Sequence, residues 1–193
     1  SLLFIILPMC LGVFVLAKEV VILYAGEKYI SIISTLMLAC IVKIVISVES
    51  TMVNLVMYPN NQENKIVKFS LICGIMNLVF NTLLIFFKVF TPFNCMFTTG
   101  IVELSLCILL FHYIKNKLKI NYKLFTKQNI LYLLLSLSFI PISLLIRQLN
   151  LSFLFNTLLI IIICVIAYVG ILFYKKDDNL NLIINKFFRK IKR

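Results

Sequence analysis

The stretch from about residue 152 to residue 174, SFLFNTLLIIIICVIAYVGILFY, holds no charged side chain. Roughly 20 consecutive apolar residues take a helix across the hydrocarbon core of a bilayer. Runs of that kind recur at about 2–24, 29–57, 65–87, 94–114 and 128–147. A soluble domain with one large core would show polar faces at a period of 3.6 or 2, and these runs lack them. Composition agrees: 62% of residues are hydrophobic and 13% charged, against about 45–50% apolar and about 25% charged in ordinary soluble domains. Mean hydropathy is +1.08. The pattern predicts an all-α integral membrane protein with six transmembrane helices.

Breakers separate the runs: Gly26, then Pro59 with Asn60 and Asn61, then Pro92. Pro141 falls inside the fifth run and is expected to kink it. Residues 1–178 read as one transmembrane bundle and 179–193 as a basic tail. The chain starts at Ser1 and is apolar from its second residue, with no basic stretch before the first run and no small-residue cleavage site after it. A signal peptide is not expected; a longer protein whose N-terminal part precedes this chain is.

Lysine and arginine set the expected orientation. Lys65 and Lys68 lie in the second–third linker, and Lys115, Lys117, Lys119, Lys123 and Lys127 in the fourth–fifth linker. The tail adds Lys175, Lys176, Lys186, Arg189, Lys190, Lys192 and Arg193. Only Lys28, Lys88 and Arg147 fall on the other side. Cytoplasmic loops carry the excess of positive charge, so these linkers and the C-terminus are expected in the cytoplasm. The net charge of +12 is thereby accounted for beside membrane spans, and nucleic acid is not an expected partner. In the tail, Leu180, Ile183, Ile184, Phe187 and Ile191 share one helical face, a pattern suited to an anionic lipid surface.

Little in the chain suits catalysis. Cys10, Cys40, Cys73, Cys95, Cys107 and Cys164 lie in or beside apolar runs and form no C-x-x-C or Cys/His cluster, so neither a disulfide framework nor a metal site is indicated. His112 is the one histidine, at the end of the fourth run. No Gly-rich phosphate loop appears, and no Ser/His/Asp set can be assembled. The longest polar linker, about 115–127, is too short for a catalytic domain. An enzyme is not expected, nor a cofactor. Asn150-Leu151-Ser152 matches a glycosylation sequon, a pattern common by chance.

The informative residues are the polar ones inside the spans. A lysine at a helix centre costs about 2.5–3.5 kcal/mol on the insertion scale, and such residues face a cavity or the bundle interior. Lys43 lies mid-span in LACIVKIVISVESTMV, and Glu49 follows six residues on. Six residues turn a helix by about 240° net, so the two do not share a face. Glu103, mid-span in the fourth run, is the candidate partner for Lys43. Lys18 and Glu19 lie towards the outer end of the first run, where Lys18 can snorkel. Asn77 and Asn81 are four apart and share a face, and Thr98 and Thr99 lie about one turn before Glu103. Lys43 and Glu103 suit a cavity or pathway open to an anionic head group, with Lys18, Glu49, Asn77 and Asn81 as further candidates along it, although the asparagines equally suit helix packing.

The order LPMCLGVFVLAKEVVILYAGEKY, a long helix, GIMNLVFNTLLI and then TTGIVE resembles the C-terminal half of bacterial polysaccharide flippases, within the multidrug/oligosaccharidyl-lipid/polysaccharide exporter superfamily. Pro8, Gly26 and Tyr29 fit the family's proline and its following glycine and aromatic; Asn77 and Asn81 fit its N-x-x-x-N; Thr99 and Glu103 fit its next helix. Tyr174, Lys176 and Asp177 fit the end of its late span. The resemblance covers about 4–178, and Asn94-Cys95 stands where family members usually carry Gly-Ala. It implies a two-lobed, alternating-access transporter of the bacterial inner membrane, of which this chain is most of one lobe and a missing N-terminal lobe the other. The implied cargo is an undecaprenyl-pyrophosphate-linked oligosaccharide, flipped for O-antigen, capsule or other surface polysaccharide. Lys43 and then Lys18 are expected to meet it, with Glu49 and Glu103 balancing charge or coupling to H+ or Na+. Membrane lipids are the remaining partner.

Three active alternatives stand beside this one. A lipid II flippase of the same superfamily would be essential. A cation-coupled drug exporter would confer drug resistance. A polytopic glycan polymerase would want a large outer loop, and the outer linkers at about 25–28, 88–93 and 148–151 are short. A non-functional remnant is the last reading.

Overall fold

In hydrocarbon every peptide group needs an internal partner, and a helix supplies one within a single segment. The computed structural model describes residues 2–122, 126–149 and 152–182. Among the described residues there is no strand, and the α-helices include α1 (Leu3–Val15), α2 (Ala17–Ala25), α3 (Ile33–Met52), α4 (Glu63–Phe86), α5 (Pro92–Asn116), α6 (Lys127–Leu137), α7 (Phe139–Arg147) and α8 (Phe153–Tyr174), with 178–182 also helical. Five helical stretches are long and apolar enough to cross a membrane: Glu27–Asn60, Glu63–Phe86, Pro92–Asn116, Lys127–Arg147 and Phe153–Tyr174. The protein is an all-α, multi-pass membrane protein.

The first run is the correction. In place of one straight span over 2–24, the chain bends by 74° between α1 and α2. At 1.5 Å per residue, the 13 residues of α1 reach about 20 Å, short of the hydrocarbon thickness. The sixth candidate crossing is therefore a bent pair, by length and composition a broken span or a re-entrant loop. Gly26 ends α2 at φ +88°, a conformation that favours glycine, and a 3-10 stretch, Glu27–Ile32, leads into α3.

Prolines mark the other irregular points of the helices. Pro8 inside α1 has no N–H for the Phe4 carbonyl, and Tyr168 Oη from α8 donates to that carbonyl at 2.8 Å instead. Pro141 likewise has no N–H for the carbonyl of Leu137, and the fifth span is divided at Ser138 into α6 and α7. Ahead of Pro59 the end of α3 widens into a π-turn, Val53–Met57, and Asn60 Nδ2 donates to the Val56 carbonyl at 2.7 Å. Thr91 caps α5 by accepting from Asn94 N at 3.2 Å, with Pro92 in the first turn.

Two apolar cores form. One joins α1 to α6, α7 and α8 through Leu7, Leu11, Tyr132, Phe139, Ile160 and Leu172. The other joins the end of α3 to α4 and α5 through Met52, Met57, Cys73, Leu106, Leu110 and Ile114. Val48 of α3 packs against both. Gly100 lets α5 lie close to α3: a Cβ there would sit 2.9 Å from Val42 Cγ2. By contrast α4 leaves Leu71, Ile75, Leu78 and Phe86 exposed. An apolar face of this extent belongs against lipid rather than water.

Polar contacts tie the linkers at one end of the bundle. Tyr113 Oη, late in α5, donates to Gln62 Oε1 before α4 at 2.8 Å. Tyr132 Oη, early in α6, donates to Asp177 Oδ2 after α8 at 2.7 Å. Asp177 Oδ1 also accepts from the backbone N–H groups of Asn179 (3.0 Å) and Leu180 (3.2 Å), so the start of the tail is capped and Leu180 is buried in the first core. The remaining members of the tail's apolar face, Ile183, Ile184, Phe187 and Ile191, lie outside the described residues, as do Asn150 and Leu151 of the sequon.

Candidate substrate pathway

Helix α3 presents its charged residues to two different neighbours. On one side Lys43 lines a cleft of about 460 Å³ between α1 and α3. Its walls are Ile6, Met9, Cys10 and Val13 from α1, Ala39, Cys40 and Ile46 from α3, and Met96 from α5. The lysine is exposed into this space and has no ion-pair partner among the described residues. It is the one charged group in a wall otherwise made of carbon and sulfur.

On the other side Glu49, half-buried, comes within hydrogen-bonding reach of Glu103 on α5. The expected Lys43–Glu103 pair is therefore corrected: Glu103 meets the other glutamate. The reason is the angular offset along α3, which sends residues 43 and 49 to different faces. The two carboxyl groups thus face one another between α3 and α5.

Asn77 and Asn81 are engaged elsewhere. Asn81 Nδ2 donates to Asn77 Oδ1 at 2.7 Å, Thr98 Oγ1 donates to Asn81 Oδ1 at 3.2 Å, and Asn77 Nδ2 reaches Thr99 Oγ1 at 3.5 Å. This ladder fastens α4 to α5, and none of the four lines the Lys43 cleft. Interhelical bonds of this type contribute about 0.6 kcal/mol each on average. Asn94 donates through Nδ2 to the Val89 carbonyl at 2.7 Å and closes the α4–α5 turn. Lys18 is exposed on α2, past the bend and outside the cleft.

The sequence did not point to Arg147. Its Nη2 donates to Glu19 Oε1 at 2.7 Å and to the Val15 carbonyl at 2.9 Å. The only signal for it was a lone arginine at the end of a span with a glutamate in the same apolar surroundings.

A second space, about 590 Å³, runs between α1, α7 and α8. Pro8, Leu16, Phe139, Ile160 and Val165 are among its walls, and Met9 and Val13 border both spaces. No charged residue lines it, so its chemistry suits hydrocarbon. Among the described residues no group of three or more His, Cys, Asp or Glu is placed to hold a metal. All six cysteines are free thiols, and His112 bonds along its own helix to Asn116.

Compared with known proteins, the chain matches no family model, no curated protein and no solved structure.

Proposed function

We propose that this chain is most of one lobe of a two-lobed, alternating-access transporter that flips a lipid-linked oligosaccharide across the bacterial inner membrane. The cargo is an undecaprenyl-pyrophosphate-linked repeat unit for cell-surface polysaccharide, and the C-terminus lies in the cytoplasm. The observation that carries this reading is Lys43: a mid-span cation with no ion-pair partner among the described residues, opening into an otherwise apolar cleft. A bare ammonium is costly to keep at that depth. Its retention fits a ligand that brings negative charge, and a pyrophosphate with a hydrocarbon tail supplies both the charge and a surface for the apolar walls. The facing carboxyl groups of Glu49 and Glu103 support coupling to H+ or Na+. The resemblance in sequence order, from Pro8 to Asp177, supports the same class.

The test is a lipid extraction from cells lacking the gene, complemented with wild type or Lys43→Ala. Deletion is expected to accumulate a lipid-linked oligosaccharide on the cytoplasmic side. Wild type clears it, and Lys43→Ala leaves it accumulated at normal protein level. Accumulation of lipid II would instead assign the peptidoglycan precursor as cargo. No accumulated lipid-linked sugar overturns the flippase reading, and full clearance by Lys43→Ala overturns the role of Lys43.

A further inference from the structure

Sharp helix kinks arise at proline, at Gly/Ser pairs, at π-bulges, or where a side chain enters the hydrogen-bond ladder. The 74° bend between α1 and α2 sits in VFVLAKEVV, which contains no proline and no glycine. Pro8 and Gly12 lie earlier, inside α1. Nothing covalent therefore prevents Val13–Val21 from forming one continuous helix. What the structure has at the bend is a side chain in the ladder. In a continuous helix the Val15 carbonyl would accept from the N–H of Glu19; here it accepts from Arg147 Nη2 at 2.9 Å. The same guanidinium nitrogen holds Glu19 Oε1 at 2.7 Å.

We propose that the α1–α2 joint is a two-state hinge, latched in its bent form by Arg147. Two further observations bear on it. Glu19 is buried, and its Oε2 has no hydrogen-bond partner. The bent form thus leaves a desolvated carboxylate oxygen unmet, which narrows the gap to an alternative. Moreover α1 walls both the Lys43 cleft and the apolar space beside α8. Unlatching swings one arm of the joint relative to the other and so changes the mouth of the cleft. Straightened, residues 3–25 make a helix of about 34 Å, enough to cross the hydrocarbon core without a break. The hinge is a property of this chain's own residues and stands whatever the cargo is.

The test measures the bend directly. Ile5 and Tyr24, both exposed, are replaced by a ketone-bearing amino acid and spin-labelled, leaving the native cysteines in place. With the 74° bend the labelled Cα atoms lie about 23 Å apart, and in a straight helix about 28 Å. Electron–electron distance measurements in lipid nanodiscs are expected to give the shorter value for the otherwise wild-type chain. Arg147→Met should move the main population to the longer value. Glu19→Gln, which keeps the side-chain volume and leaves the Val15 bond available, should populate both. A second label pair on α4 and α5 reports whether the bundle is intact. If Arg147→Met does not fold, Glu19→Gln decides alone. A short, single distance in every variant that folds overturns the hinge.

Discussion

Replacing Tyr168 by phenylalanine removes one oxygen and almost no volume, from a residue buried among Phe4, Phe139 and Tyr132. That oxygen donates the 2.8 Å bond to the Phe4 carbonyl. Interhelical hydrogen bonds in membranes average about 0.6 kcal/mol, with a maximum near 1.7. The average is low because a polar group released from one partner usually finds another. The Phe4 carbonyl has no such option along its own helix, since the N–H that would replace the hydroxyl belongs to position 8, where proline has none. A buried acceptor left unmet costs about 1–3 kcal/mol. Tyr168→Phe is therefore expected to destabilise the fold by about 1–2 kcal/mol, at the upper end of the membrane range.

The cause can be separated from the size. Pro8→Ala restores the missing N–H and lets α1 satisfy its own carbonyl. In that background Tyr168→Phe should cost less than about 0.5 kcal/mol, giving a coupling of about 1 kcal/mol in the double-mutant cycle. Each variant is unfolded reversibly by SDS titration in mixed micelles and followed by helical circular dichroism. An equal cost of Tyr168→Phe with and without Pro8 would refute the argument, because the hydroxyl would then contribute through something other than the orphaned carbonyl.

Gly100→Ala places a methyl group 2.9 Å from Val42 Cγ2, and a branched side chain cannot swing clear. The variant should lose about 1–3 kcal/mol in the same titration, most of it recovered by Val42→Ala. Asp177→Ala removes the acceptor for Tyr132 and for two backbone N–H groups at the start of the tail. Loss of such a cap costs about 1 kcal/mol, and it should show as faster proteolysis after Lys175 or Lys176 with the spans still intact.

The membrane class was plain from the apolar runs, because hydrophobic length is a property of each segment alone. So was the shared face of Asn77 and Asn81, which follows from helical periodicity. The relation of Lys43 to Glu49 was equally accessible: a 240° offset separates them in the fold as it does on a helical wheel. What that offset could not say is which neighbour each face meets. Glu103 meets Glu49 rather than Lys43 because facing depends on how α5 is rotated against α3. The two helices approach closely at Gly100, a position with no side chain to signal it.

The bend in the first run is the harder case. Its residues read as continuous helix, and they would form one if only local preferences acted. The group that interrupts the ladder comes from Arg147, far along the chain. Windowed reading does find the two prolines, but not that Tyr168 compensates for the first. In both instances a backbone carbonyl left without its own helix's N–H is met by a side chain from a distant span. A bilayer offers no water as a substitute, so these distant donors are obligatory there in a way they are not in a soluble fold. This is why the chain can be divided into spans from hydropathy alone, while the shape of each span depends on which others carry a tyrosine or an arginine at the right height.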